Sequence, residues 1–557
     1  MKKTYLLILF IITQTTFANT KLSETQKLAA TCKIWGFLKY YHPNVADGSK
    51  NWDEQLFLIL PQVEKSQTKE EFSLVLKNWI GSLGELKSYK INKVDPKVEY
   101  FTKNLNLKWI DDSKVFSKDL SKKLNFIENN RYQGKQYYVQ YDPESDNILQ
   151  FNNDIKYPNF KWTDKNLRIL TLFRYWNYVE YFFPYKYQMD QKWDITLEKM
   201  IPFLMEVKNE DDYYDAMQRL SVKLNDSHVT FYRYLGQDSN KILNYFPAKC
   251  KIIDEKIIVT EIRADSLAEA QNIKIGTVIT KINNKTIKEI IAENRDLITA
   301  SNEAAYLDKL TESALSGYSD TVKLEFLQDG KYITKTINWY NEHDSHRNEY
   351  KKGAKTKKEK FKVLDNNIGY VDMGILKVKN VPDMIETLQS TKAIIFDIRN
   401  YPQNTNYAIA EYLNPKPKEF VKFIDPDLSF PGRYIWRNDI ETCGRINPDY
   451  YKGKVILLIN EKSISHSEYT AMCLQVAPNV TIIGSQTAGA DGANARFHVM
   501  KGFQTSFTCY GVFYPNIKET QRIGIVPDIE IKQTIEGIQE GRDEVLDRAL
   551  QFIETGK

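Results

Sequence analysis

Serine residues cluster where a buried strand is expected to give way to a helix. An apolar run at 455–460 predicts the strand, a helix is expected from about Glu468 to Gln475, and Ser-Ile-Ser-His-Ser-Glu occupies 463–468 between them. At a helix start, unpaired backbone N–H groups and the positive end of the helix dipole point the same way. A serine there can attack a carbonyl carbon while those groups stabilise the oxyanion. Serine is also a common N-cap, so this segment alone leaves both roles open.

Six histidines could supply a general base near neutral pH. They are His42, His228, His343, His346, His466 and His498. His343 and His346 lie in a polar, basic run, His466 adjoins Ser467, and side chains of adjacent residues rarely point at one another. His498 is a reserve candidate. His228 directly follows Ser227, and a comparison within the chain favours this pair.

A helical segment occurs twice in the chain. An offset of 141 residues maps Trp35 onto Trp176 and Trp52 onto Trp193. Apolar residues recur at helical spacing in both copies, so each is expected to be a helical hairpin whose shared aromatics pack in a core. Copy one has Leu and Lys at 86–87, where copy two has Ser227 and His228. A pair suited to chemistry is therefore present only in the second copy.

Composition limits the possible classes of protein. The chain has 557 residues, of which 42% are hydrophobic and 27% charged, which excludes a wholly disordered chain, a collagen and a disulfide-dense mini-protein. Lys+Arg 77 against Asp+Glu 72 leaves a net charge of +5, too weak to argue for a nucleic-acid partner. The five cysteines show no CxxC pattern and are expected to be buried small hydrophobes.

The first residues resemble a secretory signal peptide. Lys2 and Lys3 precede an apolar run at 5–12, and Thr16 and Ala18 are small residues suited to cleavage. The run is too short to span a membrane, and no later stretch of 18 apolar residues follows. We therefore expect an exported protein, periplasmic or secreted, with no integral membrane segment after signal removal.

The remaining patterns predict a multidomain α/β protein. Strand, short helix and strand at 256–262, 266–270 and 275–283 resemble a PDZ domain, with a small β-domain lacking a ligand as the alternative. Strands then alternate with helices, as in an α/β core. The predicted segments are a signal peptide (1–18), helical module copy one (19–100), a β-containing connector (101–160), copy two (161–239), a PDZ-like domain (240–342), a basic linker (343–361) and the α/β core (362–557).

Several motifs in the core resemble those of the tail-specific, or C-terminal processing, serine peptidases. The serine cluster at 463–468 is similar to the family's nucleophile motif, and the PDZ-like region precedes the core as it does in the family. Further similar segments, in chain order, are 397–402, 487–489, 521–528 and a final helix from 541. The resemblance covers about 165–555 and implies an α/β catalytic core of the tail-specific protease (crotonase-like) fold.

The resemblance also implies site residues. It identifies Ser467, before Glu468, as the nucleophile. Many members use a Lys base after the nucleophile, but Ala490 stands at that position; the tricorn-like branch uses a His preceded by Ser, which Ser227 and His228 match.

Two further roles follow from the same resemblance. Glu519 is expected to be the third member, with Gln521 standing closer to the final motif. Backbone N–H groups of Glu468 and Asn404 would form the oxyanion hole, although Gln403-Asn404 replaces the usual Gly-Gly.

These features predict an exported serine endopeptidase that cuts peptides or protein tails through an acyl-enzyme on Ser467. The alternatives are a non-catalytic binding or carrier protein on the same fold and a scaffold acting through its PDZ-like and helical modules. The sequence contains no metal cluster, nucleotide loop or cofactor motif, so no cofactor is expected. Peptide or protein is the expected substrate, and the oligomeric state is left open.

Overall fold

The computed structural model describes residues 21–86, 96–145, 147–233, 243–341 and 359–557. The predicted signal peptide and nearly all of the predicted basic linker lie outside these residues. The chain divides into two compact units, an N-terminal unit (Met1–Ile91 and Asn106–Tyr132) and a main unit (Asn92–Leu105 and Gln133–Lys557). In the described ranges, no helix is both long and apolar enough to cross a bilayer.

Five helices form the described part of the N-terminal unit. Ser23, Asn51, Thr68 and Ser117 each accept a backbone N–H at a helix start, as N-caps do. The helices are α1 (Glu24–Tyr41), α2 (Pro43–Ala46), α3 (Trp52–Lys65), α4 (Lys69–Ser82) and α5 (Lys118–Asn129). The last of these lies where a β-containing connector was expected.

The main unit repeats the helical arrangement. Its helices α6 (Lys165–Phe182), α7 (Trp193–Met205) and α8 (Glu210–Val222) begin 141 residues after α1, α3 and α4 (165 − 24, 193 − 52 and 210 − 69). In each copy two tryptophan rings stack at 6.3 Å, and each indole N–H donates to the other residue's carbonyl. The module has three helices rather than the expected hairpin, because the segment after the second tryptophan helix forms a further capped helix.

An antiparallel sheet follows copy two. Its strands lie in the order β12-β11-β8-β7-β6, with β9 paired to β8, so β6 is an edge strand. Ile257, Val259 and Leu324 are buried in its core. The main unit begins with β1 (Tyr100–Phe101), β2 (Val139–Tyr141) and β3 (Leu149–Phe151), which precede copy two. The elements after copy two are β4 (Phe231–Arg233), β5 (Asn244–Tyr245), β6 (Ala248–Ile253), β7 (Lys256–Ile262), α9 (Asp265–Ala270), β8 (Val278–Ile282), β9 (Lys285–Thr286), α10 (Ile287–Glu293), α11 (Glu303–Ala314), β10 (Ser316–Gly317), β11 (Thr321–Gln328), β12 (Lys331–Asn338) and β13 (Tyr340–Asn341).

The C-terminal part contains a mostly parallel sheet ordered β14-β15-β16-β20-β21-β25. Only β14 and β15 pair antiparallel. The elements are β14 (Phe361–Leu364), β15 (Ile368–Asp372), α12 (Val381–Leu388), β16 (Ala393–Asp397), α13 (Asn406–Leu413), β17 (Lys418–Pro426), β18 (Tyr434–Trp436), β19 (Glu441–Cys443), β20 (Lys454–Ile459), α14 (His466–Leu474), β21 (Val480–Gly484), β22 (Asn494–Met500), β23 (Phe503–Thr508), β24 (Gly511–Phe513), β25 (Ile529–Glu530), α15 (Ile535–Gln539) and α16 (Glu544–Thr555).

Helices cover both faces of this parallel sheet. Ile394 and Phe396 of β16 pack in one cluster with residues of α12, α13 and α14, whereas Ala393 and Ile395 pack in another with residues of α16. The alternation follows the two-residue period of a strand, and burial on both faces explains why β16 and β20 are continuously apolar. The expected mixed α/β multidomain architecture is therefore present.

A small sheet ordered β22-β23-β4 brings distant parts of the chain together. Phe231 pairs with Thr505 and Arg233 with Phe503, so partner numbers sum to 736. Continued along both strands, this antiparallel register places His228 opposite Thr508, since 228 + 508 is also 736. The pairing positions the histidine segment against the end of β23.

Candidate active site

A sharp turn joins β20 to α14 and contains the serine cluster. Ser465 has φ 55° and ψ −118°, in the positive-φ region that side chains rarely occupy, and such a conformation costs about 1–3 kcal/mol. The Ser465 N–H donates to the Ala490 carbonyl at 3.0 Å and to Glu468 Oε2 at 3.0 Å. These bonds hold a strained residue at the helix N-terminus.

Ser465 and Ser467 differ in their exposure to solvent. Ser467 is 0% exposed, and its hydroxyl donates to the Asn400 carbonyl at 3.4 Å. Ser465 is partly exposed. The sequence predicts a helix from about Glu468, which would make Ser467 the residue at the turn. Helix α14 begins at His466 instead, so Ser467 lies inside the first turn and faces inward. A helix start two residues earlier is the signal that would have favoured Ser465.

The Glu468 carboxylate forms hydrogen bonds to both the strained turn and the loop at 487–490. It is buried, and besides the Ser465 N–H it accepts from Thr487 Oγ1 at 2.5 Å and from the N–H groups of Gly489 and Ala490 at 2.8 and 3.0 Å. Burial raises the pKa of this carboxyl, while those hydrogen bonds oppose the rise. These hydrogen bonds hold the loop at 487–490 against the serine turn. Ala490 contributes only backbone groups there.

His228 is almost fully buried, and its Nδ1 lies 2.8 Å from Thr508 Oγ1. Burial lowers the pKa of the imidazole, Asp226 opposes the shift, and Lys309 adds to it. A lowered pKa keeps the ring neutral near pH 7, which is the form that a general base needs.

The loop at 487–490 also touches the residue before His228. Ser227 Oγ donates to the Ala488 carbonyl at 3.3 Å and accepts the Ser301 N–H at 2.9 Å. The Ala490 carbonyl of the same loop accepts the Ser465 N–H. The Ser227–His228 segment and the serine turn therefore both contact the loop at 487–490. Within the described ranges, no hydrogen bond joins the His228 ring to Ser465 or Ser467. Catalytic hydrogen bonds are often long without substrate.

Glu519 does not serve the histidine in this structure. Its carboxylate accepts from the Tyr187 hydroxyl at 2.7 Å and Gln188 Nε2 at 2.8 Å, and pairs with Lys103 at 3.2 Å. Among the residues that the structure describes, it has no hydrogen bond to His228. The structure therefore brings the expected third member, Glu519, to the segment after α6 and not to His228.

The loop after β16 is anchored by Arg399. Its guanidinium binds both oxygens of Asp397, at 2.9 and 2.6 Å, and both oxygens of Asp543, at 2.7 and 2.8 Å. These carboxylates raise the Arg399 pKa against the opposing effect of burial. Asn404, farther along the loop, is exposed and has φ 55°. It thus adopts the left-handed backbone that a Gly would take there, which asparagine tolerates better than most residues.

Three other histidines lie within the described residues. His42, in the N-terminal unit, accepts the Asn44 N–H, and burial lowers its pKa to about 4. His466 is adjacent to Ser465, and burial lowers its pKa too; His498 lies on β22. His343 and His346 lie outside the described residues.

The described part of the chain contains neither a metal-holding group nor a disulfide. No group of three or more His, Cys, Asp and Glu side chains in those ranges could hold a metal ion. All five cysteines are buried, and the structure shows no disulfide between them.

Part of the chain matches a known protein family. Residues 367–531 match the model of peptidase family S41. This S41 region spans the loop after β16, the serine turn and the loop at 487–490. Among curated proteins, none matches the chain.

Similarity to solved structures covers more of the chain than the S41 region does. Mature CPAF has 15% identity and a TM-score of 0.54, covering 70% of this chain and 97% of that one. Mature CPAF complexed with lactacystin has 15% identity and a TM-score of 0.53, covering 70% and 98%. At this identity the likeness shows a shared fold, which extends beyond the S41 region.

Proposed function

We propose that this chain is an exported serine endopeptidase that hydrolyses peptide bonds in peptides or protein tails. The observation that carries the proposal is Ser465, a strained, partly exposed serine at the N-terminus of α14 within the S41 region. Holding a residue at positive φ is costly, and such strain is concentrated at functional sites. The burial of Ser467 makes Ser465 the better candidate nucleophile.

In the proposed mechanism the Ser465 hydroxyl attacks the scissile carbonyl carbon and His228 Nε2 takes its proton. N–H groups at the start of α14, including those of His466 and Glu468, and that of Asn404 would hold the oxyanion. The tetrahedral intermediate collapses as His228 gives its proton to the leaving amine, and the acyl group stays on Ser465. Water, deprotonated by His228, then releases the acyl group.

The PDZ-like sheet offers a place for an extended peptide. Its edge strand β6 runs beside α11, and a cavity of about 80 Å³ lies between them. Cys250 of β6 and Glu312 of α11 line the cavity together with Lys462, three residues before Ser465. We propose that substrate adds a strand to β6, as peptides do on sheet edges.

A non-catalytic binding protein is the second candidate. Two sequence departures favour it: Ala490 stands where many relatives have a Lys base, and Gln403-Asn404 replaces Gly-Gly. The positive φ of Asn404 weakens the second departure.

A matched pair of variants separates these readings. Wild type, Ser465→Ala and Ser467→Ala are treated with a fluorophosphonate probe, and hydrolysis of a fluorogenic peptide library is measured. A peptidase working through Ser465 loses labelling and hydrolysis in Ser465→Ala and keeps labelling in Ser467→Ala. Loss in Ser467→Ala alone would restore the sequence-based assignment, and a folded wild type with neither labelling nor hydrolysis would support the binding protein.

Export is tested separately. N-terminal sequencing of the protein recovered from the periplasm or medium should show a chain that begins after Ala18. Recovery of the intact N-terminus in the cytoplasm alone contradicts the signal peptide.

A further inference from the structure

A buried carboxylate, Asp226, lies behind the histidine. It is 0% exposed and accepts four hydrogen bonds. The donors are the His228 N–H (3.0 Å), the Thr508 N–H (2.9 Å), the Thr508 hydroxyl (2.9 Å) and Gln521 Nε2 (3.2 Å). All four are satisfied by an ionised carboxylate, which only accepts.

The direction of the hydrogen bonds fixes the histidine tautomer. The Thr508 hydroxyl has a single proton, and because it donates this proton to Asp226, its oxygen accepts at the contact with His228 Nδ1. The imidazole must therefore hold its proton on Nδ1. A neutral ring with Nδ1–H has its lone pair on Nε2, and that nitrogen is free to act as a base.

We infer that Asp226, acting through the Thr508 hydroxyl, is the positioning residue that orients His228 and fixes its tautomer. This role rests on the proposed function and replaces the one expected of Glu519. When Nε2 takes the Ser465 proton, the Nδ1 proton remains on His228 and the hydroxyl proton remains on Thr508. The Asp226 charge stabilises the imidazolium that forms, so no proton passes to the carboxylate.

Two charged groups act on the imidazolium from different elements. Asp226 lies in the loop before β4 and raises the His228 pKa, whereas Lys309 of α11 lowers it. Lys309 Nζ donates to the Ser227 carbonyl at 2.7 Å. The Asp226 charge thus opposes the effect of a nearby, partly buried ammonium on the His228 pKa, and a neutral residue in place of Asp226 would leave that effect unopposed.

Gln521 completes the arrangement. Its side chain is buried and donates to Asp226 Oδ1. It occupies the position that the sequence analysis placed closer to the final motif than Glu519. An acidic side chain there would face the Asp226 carboxylate at hydrogen-bonding distance, so the neutral amide is the compatible partner.

The test compares Thr508→Val with Thr508→Ser. Both keep the backbone N–H that binds Asp226, and only valine removes the hydroxyl. Loss of a residue that orients a metal-ligating histidine costs about 10–100-fold; by analogy we expect a loss of about this size in kcat for Thr508→Val, with KM changed less than about twofold. Thr508→Ser should restore most of the rate. A thermal melt verifies that both variants are folded.

A second readout does not depend on hydrolysis. Protein labelled with ¹⁵N-histidine, with the His228 signals assigned through His228→Asn, should show the Nδ1–H tautomer in wild type and Thr508→Ser at neutral pH. Thr508→Val should show a mixture. An Nε2–H tautomer in wild type, or a Thr508→Val protein with wild-type kcat and tautomer, overturns the inference.

The two readouts distinguish the inference from the proposed function. If the fluorophosphonate probe fails to label Ser465 while the Nδ1–H tautomer is observed and is lost in Thr508→Val, the positioning role of Asp226 stands and the proposed peptidase activity does not. If labelling succeeds and the tautomer is Nε2–H, the reverse holds.

Discussion

Gly489 provides a quantitative test of how the loop at 487–490 supports the serine turn. It has φ +68°, and a Cβ added there would lie 2.7 Å from the carbonyl carbon and 2.9 Å from Cα of Arg522. Gly541 has nearly the same φ, +72°, but nothing lies within 4 Å of a Cβ placed on it. Gly541→Ala is therefore a matched control for Gly489→Ala.

The expected magnitudes differ because only one variant clashes. A left-handed alanine costs about 1–2 kcal/mol, and this is the whole expected loss of unfolding free energy for Gly541→Ala. Forcing extra volume against fixed backbone adds about 1–3 kcal/mol, so Gly489→Ala should lose about 2–5 kcal/mol in total.

The loop displacement should also reach the nucleophile. The Gly489 N–H donates to the Glu468 carboxylate, which in turn accepts the Ser465 N–H. A displacement of about 1 Å can cost about 100-fold in rate, so fluorophosphonate labelling should slow by about this factor in Gly489→Ala.

Urea unfolding followed by tryptophan fluorescence measures the stability of both variants, and the labelling rate is measured below the unfolding transition. Gly541→Ala should label at the wild-type rate. Equal stability losses and equal labelling rates in the two variants would refute the role of this loop.

Four further predictions concern other parts of the site. Burial lowers the pKa of Lys309 to about 8; because the folded-state pKa lies below that of the unfolded chain, unfolding free energy should rise with pH from about 8 to 10.5, and this rise should be absent in Lys309→Met. The same variant loses a charge that lowers the His228 pKa, so the acid limb of its kcat/KM profile should move to higher pH; an unmoved limb contradicts His228 as the base. Arg399→Lys cannot make the paired bonds to Asp397 and Asp543 and should slow labelling of Ser465 by up to about 100-fold for a loop displacement of about 1 Å; an unchanged rate would show that Arg399 does not anchor the site. Glu312→Trp fills the cavity beside β6 and should raise KM for a long peptide without changing fluorophosphonate labelling; an unchanged KM argues against strand addition at β6.

Much of the fold could be predicted because its strands are locally distinctive. The apolar runs at 393–399, 455–460 and 480–484 correspond to β16, β20 and β21, because parallel strands covered on both faces cannot alternate. The duplication was visible because each copy needs the same tryptophan pair in its core. The extra helix in each module was missed, since its apolar spacing alone does not separate it from the preceding helix.

The site was predicted less completely because it depends on helix boundaries and long-range register. A shift of two residues in the start of α14 exchanges Ser467 for Ser465 as the residue at the turn. The ends of helices are harder to predict from sequence than their existence. The partner of His228 depends on strand pairing between β4 and β23, across 280 residues of chain. Glu519 was chosen by its distance along the sequence, and the structure directs it to Tyr187 and Gln188 instead.

The identity of the nucleophile is the central claim, and one mass-spectrometric measurement tests it. Cleavage after Lys462 and Arg496 yields a single peptide, 463–496, that contains both Ser465 and Ser467. Fragment ions of the fluorophosphonate-labelled peptide show whether the added mass lies on Ser463, Ser465 or Ser467. We expect the adduct on Ser465. An adduct on Ser467 would contradict this expectation.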